Sequence, residues 1–159
     1  MYARIPLFVL TVLVMVACND AADSSSARPN GYSQIPATRE DSLFKEVMQG
    51  HDIGMARMGK LSKNISLLQE KLDSIELLSD AEAQQLEPLR KDYESILSAL
   101  KQADDGMSDW MHDFRADSGQ GNPQVRIAYL ENEKVKVEKV KQDILESLQK
   151  ADSLLNSNK

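Results

Sequence analysis

The chain has a single cysteine, Cys18, and two histidines, His51 and His112. A lone thiol closes no intramolecular disulfide and builds no cysteine-ligated zinc site, and the C-x-x-C-H attachment motif of c-type haem is missing. Any metal site must therefore draw on histidine, methionine or carboxylate. Catalytic signatures are missing as well: there is no G-x-S-x-G elbow, Walker loop, H-E-x-x-H or glycine-rich phosphate cradle. No catalytic residue is assigned, and the protein is not expected to be an enzyme. Basic residues are too few for a polyanion partner. Nineteen Lys and Arg against 25 Asp and Glu leave a formal charge of −6, which repels nucleic acid. Long apolar runs are lacking too. The only one, Ile5 to Val16, falls short of the roughly 20 residues that span a bilayer.

What is present at the N-terminus has a different logic. A short basic segment ending at Arg4 precedes the apolar run, which closes in Met15-Val16-Ala17-Cys18 and gives way abruptly to small polar residues. This order predicts a signal peptide over 1–17. Small Ala17 directly before Cys18 resembles a bacterial lipobox, whose cysteine is diacylated and, once it becomes the new N-terminus, N-acylated, typically with palmitate. Each buried methylene contributes about 0.8 kcal/mol, so two or more chains hold a protein on a membrane where one does not. With Cys18 occupied by lipid, thiolate chemistry drops out altogether. Removal of Arg4 takes the charge from −6 to −7. Residues 18–38 are rich in Ser, Ala, Asp and Pro without an apolar period, and read as a disordered tether. Such a segment has a root-mean-square span of about 25 Å.

Beyond it, apolar residues recur at alternating steps of three and four, the spacing of helices packed along a seam. The first helix is expected over about 39–76 with Phe44, Met48, His51, Met55, Met58, Leu61, Ile65, Leu68, Leu72 and Ile75 inward. One step, Met58 to Leu61, breaks the alternation. Ser79 three residues before Glu82 is a capping box that opens a second helix, about 80–115. Pro88 should bend its first turns or separate a short opening helix. Its seam runs from Leu86 and Leu89 through Tyr93, Ile96, Leu100, Ala103, Met107 and Trp110 to Phe114. The segment 116–123, ADSGQGNP, is a loop in which Asn122 can cap and Pro123 fits the first helical position. A third helix, about 123–156, turns Leu130, Val137, Val140, Ile144, Leu148, Ala151 and Leu155 inward. The expected fold is all-α: an up-down-up antiparallel three-helix bundle of long, coiled-coil-like helices over 39–157, as one domain. Glu133, Lys134, Lys136, Glu138, Lys139 and Lys141 are expected on a solvated outer face.

Residues equidistant from a turn lie at one height in an antiparallel hairpin. With turns near 77–78 and 118–119, Met48, His51, Met107, Trp110, Met111, Phe114, Tyr129 and Leu130 should meet at one end of the bundle. Thioethers and imidazole suit copper(I), or haem iron held axially by His and Met. The candidate ligands are His51, Met48, Met55, Met107 and Met111. Opposed to that stands plain packing, because methionine fills irregular gaps beside aromatic rings. His51 would then bond Asp104, Glu133 or water. His112 is poorly placed as a second ligand, being rotated by roughly 140° from Met107. Gly50, Gly54 and Gly106 each cost about 1 kcal/mol relative to alanine, as though room were needed. Asp105, Asp109 and Asp113 form an acidic stripe, expected to be solvated because tight calcium binding takes six or more converging oxygens.

Two motifs carry a family resemblance: H-D-x-x-M-x-x-M-G-x-L over His51 to Leu61, and M-x-x-W-M-x-x-F over Met107 to Phe114. With the lipobox and Y-L-x-N-E-K-x-K-V over Tyr129 to Val137, the chain resembles small Bacteroidetes lipoproteins labelled "viral A-type inclusion protein", across about residues 40–155. Ala56 stands where that family often has proline, which implies a straighter first helix here. The resemblance implies an envelope location and a helical fold, and supplies no catalytic or ligand residue. The expectation is therefore a non-enzymatic structural or protein-interaction module, lipid-anchored in the cell envelope at the outer membrane. Its partners would be the membrane itself, an envelope protein and, through regular seams, a second copy of the chain. The competing expectation is a periplasmic copper-binding, or less favoured haem-binding, helical bundle.

Overall fold

A computed structural model describes residues 38–157. The leader over 1–17, the Cys18 acylation site and the tether through residue 37 lie outside the described residues. Those described form an all-α structure of four helices, α1 (Arg39–Glu76), α2 (Asp80–Gln85), α3 (Glu87–Asp113) and α4 (Pro123–Ser157).

Local chemistry sets the ends. Thr38, counted with the tether from sequence, is the N-cap of α1. Its side chain accepts from the Asp41 amide at 3.1 Å, and the Asp41 carboxylate accepts from the Thr38 amide at 3.1 Å. Two orphan donors are thereby satisfied reciprocally. Ser79 and Glu82 close the same kind of box on α2. The second helix is not continuous. It breaks at Leu86, with Pro88 in the first turn of α3, where the missing proline donor costs no backbone bond. It also stops two residues before the expected 115. At Phe114 the backbone turns extended, and the Arg115 amide donates to the Tyr129 hydroxyl at 2.7 Å in place of a helical carbonyl. In the loop that follows, Gly119 and Gly121 hold φ of 74° and 85°, a region that glycine enters without steric cost. Asn122 accepts from the Val125 amide at 3.2 Å and starts α4.

The three long helices all touch one another. Ion pairs fix the direction of α4 against α1: Arg39–Glu131 at 2.8 Å, Glu46–Lys134 at 2.5 Å, and Lys60–Asp152. Partner numbers rise together, so these two helices run parallel. Rings do the same for α3. Phe44 meets Phe114 and His51 meets Trp110, so numbers fall along α3 as they rise along α1.

The inward face of α1 departs from the expected one. Its buried residues are Leu43, Val47, Gly50, Gly54, Leu61, Asn64, Leu68, Leu72 and Ile75. Over the first half the true seam runs one residue before the expected Phe44, Met48, His51 and Met55, a rotation of about 100°. From Leu61 onward the two nearly coincide. The glycines explain the shift. An added Cβ at Gly50 would lie 3.0 Å from Val137 Cγ1, and one at Gly54 would press into the terminal methyl of Met107. Side chains from α3 and α4 occupy the space that α1 leaves bare, so the seam passes through two residues that carry no hydrophobic signal.

Candidate functional site

Met107, His51 and the rings of Phe44, Trp110, Phe114 and Tyr129 lie where the first half of α1 meets the end of α3 and the start of α4. Ring contacts, two stacked and two tilted, link the three helices. Trp110 and Phe114 are 4.9 Å apart, Phe114 and Tyr129 6.2 Å, Phe44 and Phe114 6.4 Å, and His51 and Trp110 5.6 Å. Each such pair contributes about 0.5–1.5 kcal/mol beyond the area it buries.

Two buried ions pin this stack. Glu133, which sequence placed on the solvated face, is 4% exposed and accepts from Trp110 Nε1 at 3.0 Å. Its second oxygen accepts from Lys136 Nζ at 2.7 Å, and that bond pushes the Lys136 ammonium up from its ordinary range. Arg126, assigned no role from sequence, is 5% exposed. It donates to Glu40 at 3.1 Å and to the Ser118 carbonyl at 2.9 Å, with its guanidinium 5.6 Å from the Phe44 ring centre. A buried charge needs such partners, because an unpaired one costs several kcal/mol. The signal for both was present. Position 126 is four before Leu130, and 133 is three after it and four before Val137, which puts both on the α4 seam.

The five candidate ligands divide into two groups. Met107 is fully buried, its methyl filling the space over Gly54. Met48 is half-buried, while Met55 and Met111 are 39% and 42% exposed. The His51 side chain retains 20% of its exposure. Its Nδ1 donates to Asp52 Oδ1 at 2.9 Å, so neither Asp104 nor Glu133 is the carboxylate that holds it.

Asp105, Asp109 and Asp113 are exposed along α3. Among the described residues no three His, Cys, Asp or Glu side chains are grouped to hold a metal, and no helix is long and apolar enough to cross a membrane. Shallow hollows occur elsewhere. One of about 530 Å³ runs between α1 and α4 beside Arg57, Lys60, Leu148 and Asp152, and another of about 560 Å³ lies on α4 beside Val135 and Gln142. No protein-family model, curated protein or solved structure matches the chain.

Proposed function

We propose that this protein is a non-enzymatic helical module of the cell envelope, held at the outer membrane through acyl chains on Cys18. Its role on this reading is structural or protein-binding, with an envelope protein or a second copy of the chain as partner. The finer architecture is an up-down-up antiparallel three-helix bundle, standing off the membrane on the tether that follows Cys18. The observation that carries the reading is Ala17-Cys18 at the end of a short apolar run, followed by a low-complexity segment before the first capped helix. Supporting it, the surface is laced with ion pairs such as Lys139–Asp143 at 2.7 Å. Large apolar side chains nonetheless stay open to solvent at Leu77, Val125 and Val135. Those positions are where a protein partner would find apolar contact. Acceptance of the likeness to Bacteroidetes lipoproteins leads to the same location.

Detergent phase separation and mass spectrometry of the native protein test the anchor. The wild-type chain should enter the detergent phase with the leader removed and Cys18 acylated, and Cys18→Ser should stay in the aqueous phase. An unmodified leader on the mature protein would refute the reading. For the binding role, in-cell crosslinking should return a reproducible envelope partner or a dimer. A purely monomeric protein with no crosslinked species refutes that part.

A further inference from the structure

We propose that the turn joining α1 to α2, Leu77 and Leu78 within an acidic collar, is a docking tip whose occupant is a partner protein with an apolar cleft rimmed by lysine or arginine. This inference rests on the protein-binding reading above and names its surface and the chemistry of the partner.

Charge is not spread evenly along the chain. Residues 64–100, which run up α1, through α2 and into α3, hold eight Asp and Glu against three Lys and Arg, −5 of the formal −6. The cations of α4 do not offset them at the tip. Lys60 pairs with Asp152, five residues before the end of α4 at Ser157, so this parallel helix stops near the height of Ile65. The last eleven residues of α1, about 16 Å of helix, continue beyond it. Arg90 and Lys91 are already paired with Glu87 and Glu94, and the Lys71 ammonium lies 6.0 Å from the Tyr93 ring centre. Glu76 and Asp80, on either side of the two leucines, are in no ion pair among the described residues.

Inside that collar stands the most exposed large apolar side chain of the described residues, Leu77 at 87%, with Leu78 at 39%. Leu78 has a local use. It precedes Ser79, the N-cap of α2, a position from which an apolar side chain packs back on the first turns of a helix. Leu77 has none: it is the C-cap of α1 in ordinary right-handed backbone, φ −84°, where a polar residue would serve equally well. An apolar centre with a charged rim is the anatomy of a protein interface, and the sign of the rim selects the occupant. Nucleic acid and anionic lipid are repelled, and so is the same tip of a second copy. A basic rim on another protein is attracted. The turn also lies a whole helix from Thr38, about 57 Å along the 38 residues of α1 at 1.5 Å each.

In-cell photocrosslinking of the full chain tests this, with a photoreactive phenylalanine analogue at Leu77 and, as controls, at the exposed Val125 and Val135. The expected result is a protein adduct from position 77, in higher yield than from either control, whose attached peptide carries apolar residues beside Lys or Arg by mass spectrometry. Asp73→Lys/Glu76→Lys places cations in the last turns of α1, where the helix dipole favours them; it should keep the fold and cut the yield at least about fivefold. With the analogue at Leu78 instead, Leu77→Ser should cut it about tenfold. An adduct only from Val125 or Val135 leaves the protein-binding reading standing and overturns this one, whereas no adduct from any position removes both. Attachment to lipid or to a second copy, or a yield untouched by the charge reversal, would also overturn the proposal.

Discussion

Alanine in place of each glycine of α1 measures how close the helices come. At Gly59 nothing lies within 4 Å of an added Cβ, so Gly59→Ala removes only the backbone cost of glycine and should stabilise by about 1 kcal/mol. Gly50→Ala brings the same gain but sets its methyl 3.0 Å from Val137 Cγ1 and 3.1 Å from Glu138 Oε1. Val137 is fully buried and, being β-branched, has essentially one side-chain rotamer in a helix. It cannot swing away. Overpacking of this kind costs about 1–3 kcal/mol, so the net effect is destabilisation by up to about 2 kcal/mol. At Gly54 the obstacle is the end of Met107, flexible but enclosed, with Ile144 Cδ1 at 3.4 Å as well. Gly54→Ala should therefore destabilise in the wild-type chain and do so less in a Met107→Leu background, where the terminal methyl is gone. Urea unfolding followed by far-ultraviolet circular dichroism gives the three differences. The reasoning fails if Gly50→Ala stabilises as much as Gly59→Ala, because the seam would then not pass through position 50.

Glu133→Ala leaves the Trp110 N–H buried without an acceptor and should cost about 1–3 kcal/mol, with a shift in Trp110 emission; Glu133→Gln, which keeps an acceptor, should cost less and leave the emission closer to wild type. Acid should loosen the α1–α4 pairing. The Lys134 hydrogen bond holds the Glu46 carboxyl below its usual range, and the Lys60 hydrogen bond does the same for Asp152. A depressed carboxylate pKa contributes stability that is complete above the unfolded value of about 4 and is lost as pH falls through the lower folded value. Both pairs are well exposed, so solvent screening limits each to a few tenths of a kcal/mol. Stability measured from pH 6 to pH 3 should fall less steeply in Lys60→Ala/Lys134→Ala than in wild type; equal slopes would refute this assignment.

Helix ends were readable in the chain because their chemistry is local. Thr38 with Asp41, Ser79 with Glu82, and Asn122 with Pro123 each satisfy or avoid orphan donors within four residues, and no distant partner is needed. The end of α3 was not readable in this way, since the group that draws the Arg115 amide out of the helix is a hydroxyl fourteen residues further on. Pro88 announced a break but not its place. Among the candidate ligands, spacing showed that Met48, His51 and Met55 share a face. Which face it was depended on two glycines that add nothing to a hydrophobic pattern.

The irregular step from Met58 to Leu61 marks where the stripe of larger side chains on α1 departs from its buried face. A seam through Leu43, Val47, Gly50, Gly54 and Leu61 needs no such irregularity, whereas the stripe of larger side chains beside it does. Glu133 and Arg126 show the converse. Both lie on the α4 seam by position, yet a charged residue is read as exposed until its partners are known, here the Trp110 indole and the Glu40 carboxylate. The helical class, the caps and the three-four spacing follow from the order of residues alone, because all are products of contacts within a few residues. Which side of α1 faces inward, which charges are buried and which methionines remain at the surface emerge from the packing of the helices. Those outcomes depend on how closely separate helices approach, and that distance is set by side chains 50 to 90 residues away in the chain.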